Sequence, residues 1–287
     1  MKIQFLGSGS AFVTIDENYH SNILFSKEVE VKQYSDSENN MVETGTETVT
    51  RRLLFDAGYH IQESLKLQNK TVFDIDSIFI SHAHGDHVHG LEFIGFKTYF
   101  TPPFGSNKIQ LLGNERILTR LWDNVLSGTM KYVNGAELEL KDYFNPLLVP
   151  QRHSFKFANI DFTPIQVPHV ITQKEEVPAY GIAFKDDGVN VFLTGDTIAD
   201  FWRLMGQYEK ADIIFHEVEF ANYPNPVHSQ YHQLKEYPEK YKKKMYLYHY
   251  MLGDKTFEEL EAEVISDGFA GLIKRGQTFD TAELAKC

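Results

Sequence analysis

Residues 78–90 of this chain read IFISHAHGDHVHG, an apolar run that passes directly into a loop of histidine and aspartate. The loop carries four candidate ligands, His82, His84, Asp86 and His87. Imidazole and carboxylate groups bind Zn²⁺ and related first-row metals well, and a loop that leaves a strand can turn alternate side chains onto one point. The alternative is an exposed histidine-rich turn without metal, which the internal aspartate and the preceding strand disfavour. The stretch therefore predicts a buried strand that ends at a metal site.

Three further candidate ligands follow predicted strands elsewhere in the chain. His169 comes after TPIQVP, Asp196 after VFLTG and His249 after MYLY. Each of them alone is more simply explained as a hydrogen-bonding side chain at the end of a strand. The repetition of the pattern favours a shared site instead, because one loop cannot supply all the ligands that two metal ions need.

The composition and net charge limit the class of protein and the kinds of partner that it can bind. With 42% hydrophobic and 24% charged residues, the 287-residue chain is typical of a globular protein. A net charge of −12 disfavours a large nucleic-acid partner, which would require clustered Lys and Arg. Small anionic substrates are not excluded, because bound divalent cations make the electrostatic potential of a site positive even in an acidic protein.

The single cysteine and the apolar segments bear on location. The only cysteine is Cys287, so an intramolecular disulfide is excluded, which fits a reducing compartment. The N-terminal residues lack a signal peptide, and no apolar run approaches the ~20 residues of a membrane helix. We therefore expect a cytoplasmic protein without membrane contact.

The distribution of strands and helices predicts one domain over residues 1–287, with a polar hairpin or extension at about 27–52. We expect a strand at 138–140, a helix at 231–241 and a helix at 256–266 that Thr256 caps. Strand-rich halves that each carry helices, with candidate ligands just past strand ends, indicate two packed sheets with helices outside.

On these residues the chain resembles the metallo-β-lactamase superfamily, and within it the phosphodiesterase branch that includes the tRNA 3′-processing endonucleases. Five motifs match in order, namely Asp56, the His82–His87 cluster, His169, Asp196 and His249. The resemblance implies an αββα sandwich, in which two mixed β-sheets pack face to face with helices outside. It also implies two divalent metal ions at one edge of the sandwich.

The resemblance assigns a role to each ligand. One metal ion would bind His82, His84 and His169, and the other would bind Asp86, His87 and His249. Asp196 would bridge the two ions, and Asp56 would orient ligands without binding metal. Zn²⁺ is the expected metal, with Mn²⁺ and Mg²⁺ left open because a His and Asp donor set accepts several metals.

Two further segments resemble the catalytic motifs of the same branch. His216-Glu217-Val218-Glu219 is similar to its His-Glu-Ala-Thr segment, although Val218 and Glu219 depart from it, and His228 begins a counterpart of its His-Ser-Thr. The resemblance implies that Glu217 and His228 form a pair that protonates the leaving oxygen. Asp86 would accept a proton from the attacking water. The alternative for Glu217 is a surface carboxylate.

The spacing of the motifs narrows the choice of substrate class. The tRNA-processing endonucleases usually carry a long arm between the third and fourth motifs, and the interval from His169 to Asp196 is too short for one. The chain is most similar to the phage anti-Pycsar cyclic-nucleotide phosphodiesterases.

That resemblance implies hydrolysis of 3′,5′-cyclic mononucleotides, cCMP and cUMP as well as cAMP and cGMP, to nucleoside monophosphates. The expected role is evasion of cyclic-nucleotide antiviral immunity, by a homodimer in which a loop of one subunit reaches the other's site. The alternatives are a tRNA 3′-processing endonuclease that grips tRNA with residues 27–52, and a non-catalytic protein that sequesters a nucleotide.

Overall fold

The structure, a computed structural model, describes residues 1–14, 18–37, 40–224 and 226–286, so Cys287 lies outside the described residues. The strands are, in chain order, β1 (Lys2–Phe5), β2 (Ile23–Ser37), β3 (Asn40–Phe55), β4 (Ser77–Phe79), β5 (Ile109–Gly113), β6 (Tyr132–Val133), β7 (Ala136–Glu137), β8 (Phe144–Leu148), β9 (Phe155–Phe157), β10 (Ile160–Gln166), β11 (Val170–Ile171), β12 (Glu176–Val177), β13 (Tyr180–Asp186), β14 (Val189–Leu193), β15 (Ile213–Glu217), β16 (Met245–Tyr248), β17 (Gly271–Leu272) and β18 (Thr278–Asp280).

The helices are α1 (Ile61–Leu67), α2 (Gly85–Val88), α3 (Gly90–Tyr99), α4 (Glu115–Leu121), α5 (Ser127–Met130), α6 (Leu140–Tyr143), α7 (Phe201–Lys210), α8 (Tyr231–Lys235), α9 (Glu239–Lys242), α10 (Phe257–Ser266) and α11 (Thr281–Leu284). A 3₁₀ turn at Val72–Asp74 and a π-helical turn at Trp122–Leu126 complete the helical segments of the described residues. Among these segments, none is long and apolar enough to cross a membrane.

In the described part of the chain, two seven-stranded sheets form the framework. The first has the order β18-β1-β2-β3-β4-β5-β8, and the second has the order β17-β16-β15-β14-β13-β10-β9. Strands β3, β4, β5 and β8 pair in parallel, as do β14, β15, β16 and β17, whereas the remaining neighbours are antiparallel. Both sheets are therefore mixed, as predicted.

The two sheets pack face to face through aromatic side chains. Phe162 of β10 stacks on Phe184 at a ring-centroid distance of 4.5 Å and meets Phe25 of the first sheet at 5.7 Å. Phe5 of β1 meets Phe215 of β15 at 5.1 Å. Because side chains alternate along a strand, every second residue of each sheet faces this interior.

Helices cover the outer faces of the sheets. Phe192 of β14 and Ile214 of β15 point away from the first sheet and form a second core. Leu204 of α7, Leu234 of α8 and Leu260 of α10 pack into that core. Helices α3 and α4 pack on the first sheet in the same way. This arrangement confirms the αββα sandwich.

Strands β2 and β3 are much longer than their neighbours. They pair antiparallel from Ile23 with Phe55 to Ser37 with Asn40. Strand β1 pairs with β2 only up to Ser26, and β4 pairs with β3 only from Leu53 onward. Residues 27–37 and 40–52 therefore form a two-stranded extension beyond the sheet, and their polar composition suits that exposure.

Two sequence expectations about helices have different outcomes. Helix α10 begins after Thr256, whose hydroxyl accepts the Glu259 N–H at 3.2 Å while the Glu259 carboxylate accepts the Thr256 N–H at 2.8 Å, which confirms the predicted capping box. The expected helix at 231–241 is wrong as a single element. It divides into α8 and α9 because Pro238 lacks an N–H and disfavours helical backbone at the residue before it.

The strand expected at 138–140 is also wrong. Strand β7 ends at Glu137, and Leu140 begins α6. The Asp142 carboxylate accepts the Glu139 N–H at 2.7 Å and completes a capping box. This local polar contact favours a helical turn from Leu140 over the strand expected at 138–140.

The aromatic contacts between the sheets generate a stability prediction. Phe162→Ala opens a cavity at a fully buried position, so we expect the free energy of unfolding to fall by about 3–5 kcal/mol. The measurement is urea unfolding at one fixed metal concentration. Phe104→Ala, at a side chain that is 69% exposed, is the control and should change stability by less than about 0.5 kcal/mol. A loss below about 1 kcal/mol for Phe162→Ala would contradict the packing described.

Candidate metal centre

The predicted ligands come together as two adjoining donor groups at one edge of the sandwich. One ring nitrogen from each of His82, His84 and His169 forms the first group, within 4.8 Å of one another. Asp86, His87, Asp196 and His249 form the second group within the same limit.

The sheets explain why residues so distant in sequence meet. Asp56 follows β3 and the His82 loop follows β4, and these strands run parallel in the first sheet. Asp196 follows β14 and His249 follows β16, and both strands run parallel to β15 in the second sheet. Parallel strands end at the same edge of a sheet, so side chains just past those ends converge there.

Asp196 lies between the two groups. Its Oδ2 is 3.2 Å from His87 Nε2 and 3.5 Å from His249 Nε2 in the second group. The same oxygen is 3.8 Å from His82 Nε2 in the first group. The Oδ2 of Asp86 lies 3.2 Å from His87 Nε2 and 3.3 Å from His249 Nε2. One carboxylate therefore faces ligands of both groups, as a bridging role requires.

Unpaired buried atoms test whether these residues fit a metal. His82 Nε2 and Asp196 Oδ1 are buried, and neither has a hydrogen-bond partner among the described residues. Burying polar atoms without partners costs free energy, so each such atom requires an explanation. Divalent metal ions would satisfy both atoms, and a set of imidazoles with carboxylates is the donor chemistry that Zn²⁺ accepts. The residues fit the metals that the resemblance implied.

Asp56 fixes the orientation of His87. It is fully buried and adopts left-handed backbone, with φ of 62°. Its Oδ2 lies 2.7 Å from His87 Nδ1 and accepts the Ser81 hydroxyl at 2.6 Å, while its Oδ1 accepts the Ser81 N–H at 2.8 Å. A carboxylate only accepts, so His87 Nδ1 carries the proton and Nε2 faces Asp196.

Ser81 was missed in the sequence, although it directly precedes His82. Its hydroxyl donates to Asp56, and His82 Nδ1 lies 2.9 Å from the same oxygen and donates to it. His169 is set in a similar way, because its Nδ1 donates to the Val227 carbonyl at 2.6 Å. His169 Nε2 then faces His84 Nδ1 at 3.1 Å. Such partners hold ligand nitrogens toward a metal.

The charge states of the two groups differ. Burial lowers the pKa of His82 well below its ordinary value and that of His169 to about 4, so both imidazoles are neutral. Burial alone raises the pKa of Asp196, but the charges of His249 and His87 outweigh it and hold the pKa well below the ordinary value. Burial lowers the pKa of His87, but the charges of Asp196, Asp86 and Asp56 outweigh it and raise the pKa well above the ordinary value. Neutral imidazole is the form that binds metal, so the first group already has it, whereas a metal in the second group would displace a proton from His87.

Glu217 and His228 form a pair beside Asp196. Glu217 is fully buried, so the surface-carboxylate alternative is wrong. Its Oε1 accepts the N–H groups of Thr197 at 3.0 Å and Ser229 at 2.9 Å. Its Oε2 lies 3.4 Å from His228 Nδ1, which is itself 3.8 Å from Asp196 Oδ2. The roles of Thr197 and Ser229 were not foreseen, because backbone N–H groups leave no signal in a sequence.

The electrostatics of this pair favour a charged histidine. Burial lowers the pKa of His228, but the charge and contact of Glu217 outweigh it and raise the pKa to about 9. The His228 side chain is 25% exposed, so it is reachable from solvent. The loop that carries His228 is held just past the end of β15, where the Glu219 N–H donates to the Ser229 carbonyl at 2.8 Å. A protonated imidazole therefore lies beside the donor groups.

Comparison with known proteins identifies the family. Residues 30–279 match the family described as "Anti-Pycsar protein Apyc1". The chain belongs to this family. A relative of that name from Bacillus phage vB_BsuM-Goe3 is 31% identical over 216 residues, which cover 72% of this chain and 80% of the relative. Another, from Paenibacillus sp. (strain J14), is 27% identical over 254 residues, covering 87% of this chain and 89% of the relative. Members therefore occur in phages and in bacteria.

A solved structure supports the fold. The metallo-β-lactamase fold protein YhfI from Bacillus subtilis superposes with a TM-score of 0.67 and 16% identity, covering 97% of this chain and 98% of that chain. At this identity the likeness bears on the fold alone. This anti-Pycsar family member therefore has the metallo-β-lactamase fold.

The contacts of Asp56 generate a metal-binding prediction. In Asp56→Asn the amide nitrogen must face either the Ser81 N–H or the Ser81 hydroxyl and His87 Nδ1, so at least one of the contacts that hold Asp56, Ser81 and His87 together is lost. We expect Zn²⁺ affinity to fall about 10–100-fold, measured by competition with a chelating dye. Asp161→Asn, at an exposed carboxylate, is the matched control. Parental affinity in Asp56→Asn would show that Asp56 does not support the site.

Proposed function

We propose that this protein is a hydrolase, a metal-dependent phosphodiesterase that converts 3′,5′-cyclic mononucleotides to nucleoside monophosphates. One observation carries the proposal. His228, paired with the buried Glu217, lies within 3.8 Å of Asp196, the carboxylate that faces both donor groups. A proton donor beside two potential metal sites suits hydrolysis of a phosphodiester. Membership of the anti-Pycsar family supports a cyclic nucleotide as the substrate.

Two divalent ions would occupy the donor groups. His82, His84 and His169 would hold one ion, Asp86, His87 and His249 the other, and Asp196 would contact both. Zn²⁺ is the metal we expect, with Mn²⁺ and Mg²⁺ as alternatives. When bound, such ions lower the pKa of a water and stabilise charge on a phosphoryl group.

The chain's own residues would move the protons. Asp86, whose side chain is 10% exposed, accepts a proton from the attacking water. That water forms a bond to phosphorus as the bond from phosphorus to the ribose oxygen breaks. His228 faces Glu217 and Asp196 through Nδ1, which leaves Nε2 to donate a proton to the departing oxygen. Glu217 keeps His228 protonated beforehand and orients its ring.

The segment between His169 and Asp196 supports a small substrate. All of it is described, and it contains the short pairs β11–β12 and β13–β14 and no arm. A long substrate would lack the grip that an arm provides. Destruction of a cyclic-nucleotide signal in the cytoplasm of an infected cell, as evasion of antiviral immunity, is the role we propose. A homodimer is the expected assembly, which light scattering measures.

A turnover screen tests the substrate. Protein loaded with Zn²⁺, Mn²⁺ or Mg²⁺ is incubated with cCMP, cUMP, cAMP and cGMP, with a cyclic dinucleotide as a size control and with precursor tRNA. We expect nucleoside monophosphates from the mononucleotides. Cleavage of tRNA with cyclic nucleotides untouched would favour the tRNA endonuclease with its grip at residues 27–52. Recovery of unaltered nucleotide from a denatured complex would favour sequestration.

Two substitutions separate proton transfer from metal binding. His228→Ala removes the proton donor, so we expect kcat for a cyclic nucleotide to fall about 10²–10⁴-fold while bound metal is retained. Asp196→Ala removes the shared carboxylate and should abolish activity together with metal content, measured by elemental analysis. His232→Ala, at an exposed histidine that contacts Asn222, is the control for His228. Full activity in Asp196→Ala with unchanged metal content would refute the assignment.

A further inference from the structure

A small pocket opens beside the first donor group. It has a volume of about 150 Å³ and lies between α4 and the β11–β12 hairpin. Ile117 of α4 forms one wall, Val170 and Val177 of the hairpin form another, and His84 and His169 line the side that faces the candidate metal site. We refer to this space as the α4 pocket. Its histidines belong to the candidate metal site, whereas the roles above do not use its apolar walls or Arg120.

The α4 pocket has one permanently charged side chain. Arg120 of α4 lines it, and its Nη1 lies 3.9 Å from Glu175 Oε1 at the turn of the hairpin. A guanidinium presents several N–H donors in one plane, and it cannot accept. An apolar pocket with a few placed donors is the usual environment for a planar organic group.

The hairpin wall is held in place from both sides. Arg116 of α4 forms an ion pair with Glu175. Arg203 of α7 binds Glu176 through two contacts, of 2.6 and 3.1 Å. Strand β11 begins at the residue after His169, so these contacts fix the wall relative to the first donor group. The hairpin wall is therefore connected to both α4 and α7.

We propose that the α4 pocket receives one ring of the substrate's nucleobase, with Arg120 donating to a carbonyl oxygen or ring nitrogen of that base. Cavities of roughly 150 Å³ hold one six-membered aromatic ring. A pyrimidine base would fill the pocket, and a purine would leave its second ring at the mouth. This inference rests on the proposed function, since it assigns a part of that substrate to a subsite beside the metals.

Binding of a non-hydrolysable phosphorothioate analogue of cUMP to the metal-loaded protein tests the inference. Val177→Trp fills the pocket from its half-buried wall, and we expect the Kd to rise at least about 10-fold. Arg120→Leu removes the donors while keeping an apolar side chain, and we expect a rise of about 10-fold. Thr119→Trp, at an exposed position of α4 outside the pocket, is the matched control and should keep the parental Kd.

The outcomes separate this inference from the proposed function. Parental Kd values in both Val177→Trp and Arg120→Leu would overturn the pocket assignment even if the parent hydrolyses cyclic nucleotides. A parent that neither binds the analogue nor hydrolyses cyclic nucleotides would overturn both proposals. Metal content is measured for each variant, and if Val177→Trp loses metal, Arg120→Leu alone decides the result. Comparing kcat/KM for cUMP with that for bis(p-nitrophenyl) phosphate should show the larger loss for the nucleotide.

Discussion

The buried charge of Asp196 is the constraint on which the rest of this site depends. A carboxylate that is only 2% exposed is costly to ionise unless positive charge or hydrogen-bond donors surround it. Imidazoles of His82, His87 and His249 approach its Oδ2 from both donor groups. Its Oδ1 has no partner in the described residues, so the protein alone leaves this charge incompletely compensated. Metal ions would complete the compensation, which links the fold of this edge to metal binding.

The residues behind the ligands connect the site to both sheets. Asp56 and Ser81 orient ligands from the first sheet, and Glu217 is placed at the end of β15 in the second. The Oε2 of Glu217 lies 3.4 Å from His228 Nδ1 and 3.8 Å from His249 Nδ1. A single carboxylate thus lies within 4 Å of both the proposed proton donor and a candidate ligand.

Local patterns in the sequence predicted the parts of the site that consist of candidate ligand side chains. The histidine cluster after β4 and single residues after β10, β14 and β16 were identifiable because strand ends and ligand chemistry are both visible in the chain. The αββα architecture followed from the resemblance that these residues carry. The capping of α10 by Thr256 could also be predicted from the sequence, because a capping box is a local contact between nearby residues.

Features that arise from contacts between distant segments were not predictable in this way. The N–H of Thr197 reaches Glu217 because β14 and β15 are neighbours, and the N–H of Ser229 reaches it because the loop after β15 returns to Glu219. The α4 pocket lies between α4 and the hairpin after His169, and Arg116 and Arg203 contact that hairpin from two helices. A break at Pro238 and a capping contact at Glu139 changed two expected elements, although each signal was present in the sequence.

The central claim is that one carboxylate joins two donor groups into a two-metal centre. A crystal structure of the Zn²⁺-loaded protein, with anomalous diffraction measured at the zinc edge, tests it most directly. We expect two anomalous peaks, one among His82, His84 and His169 and one among Asp86, His87 and His249, with Asp196 in contact with both. A single peak, or two peaks of which only one contacts Asp196, would contradict it.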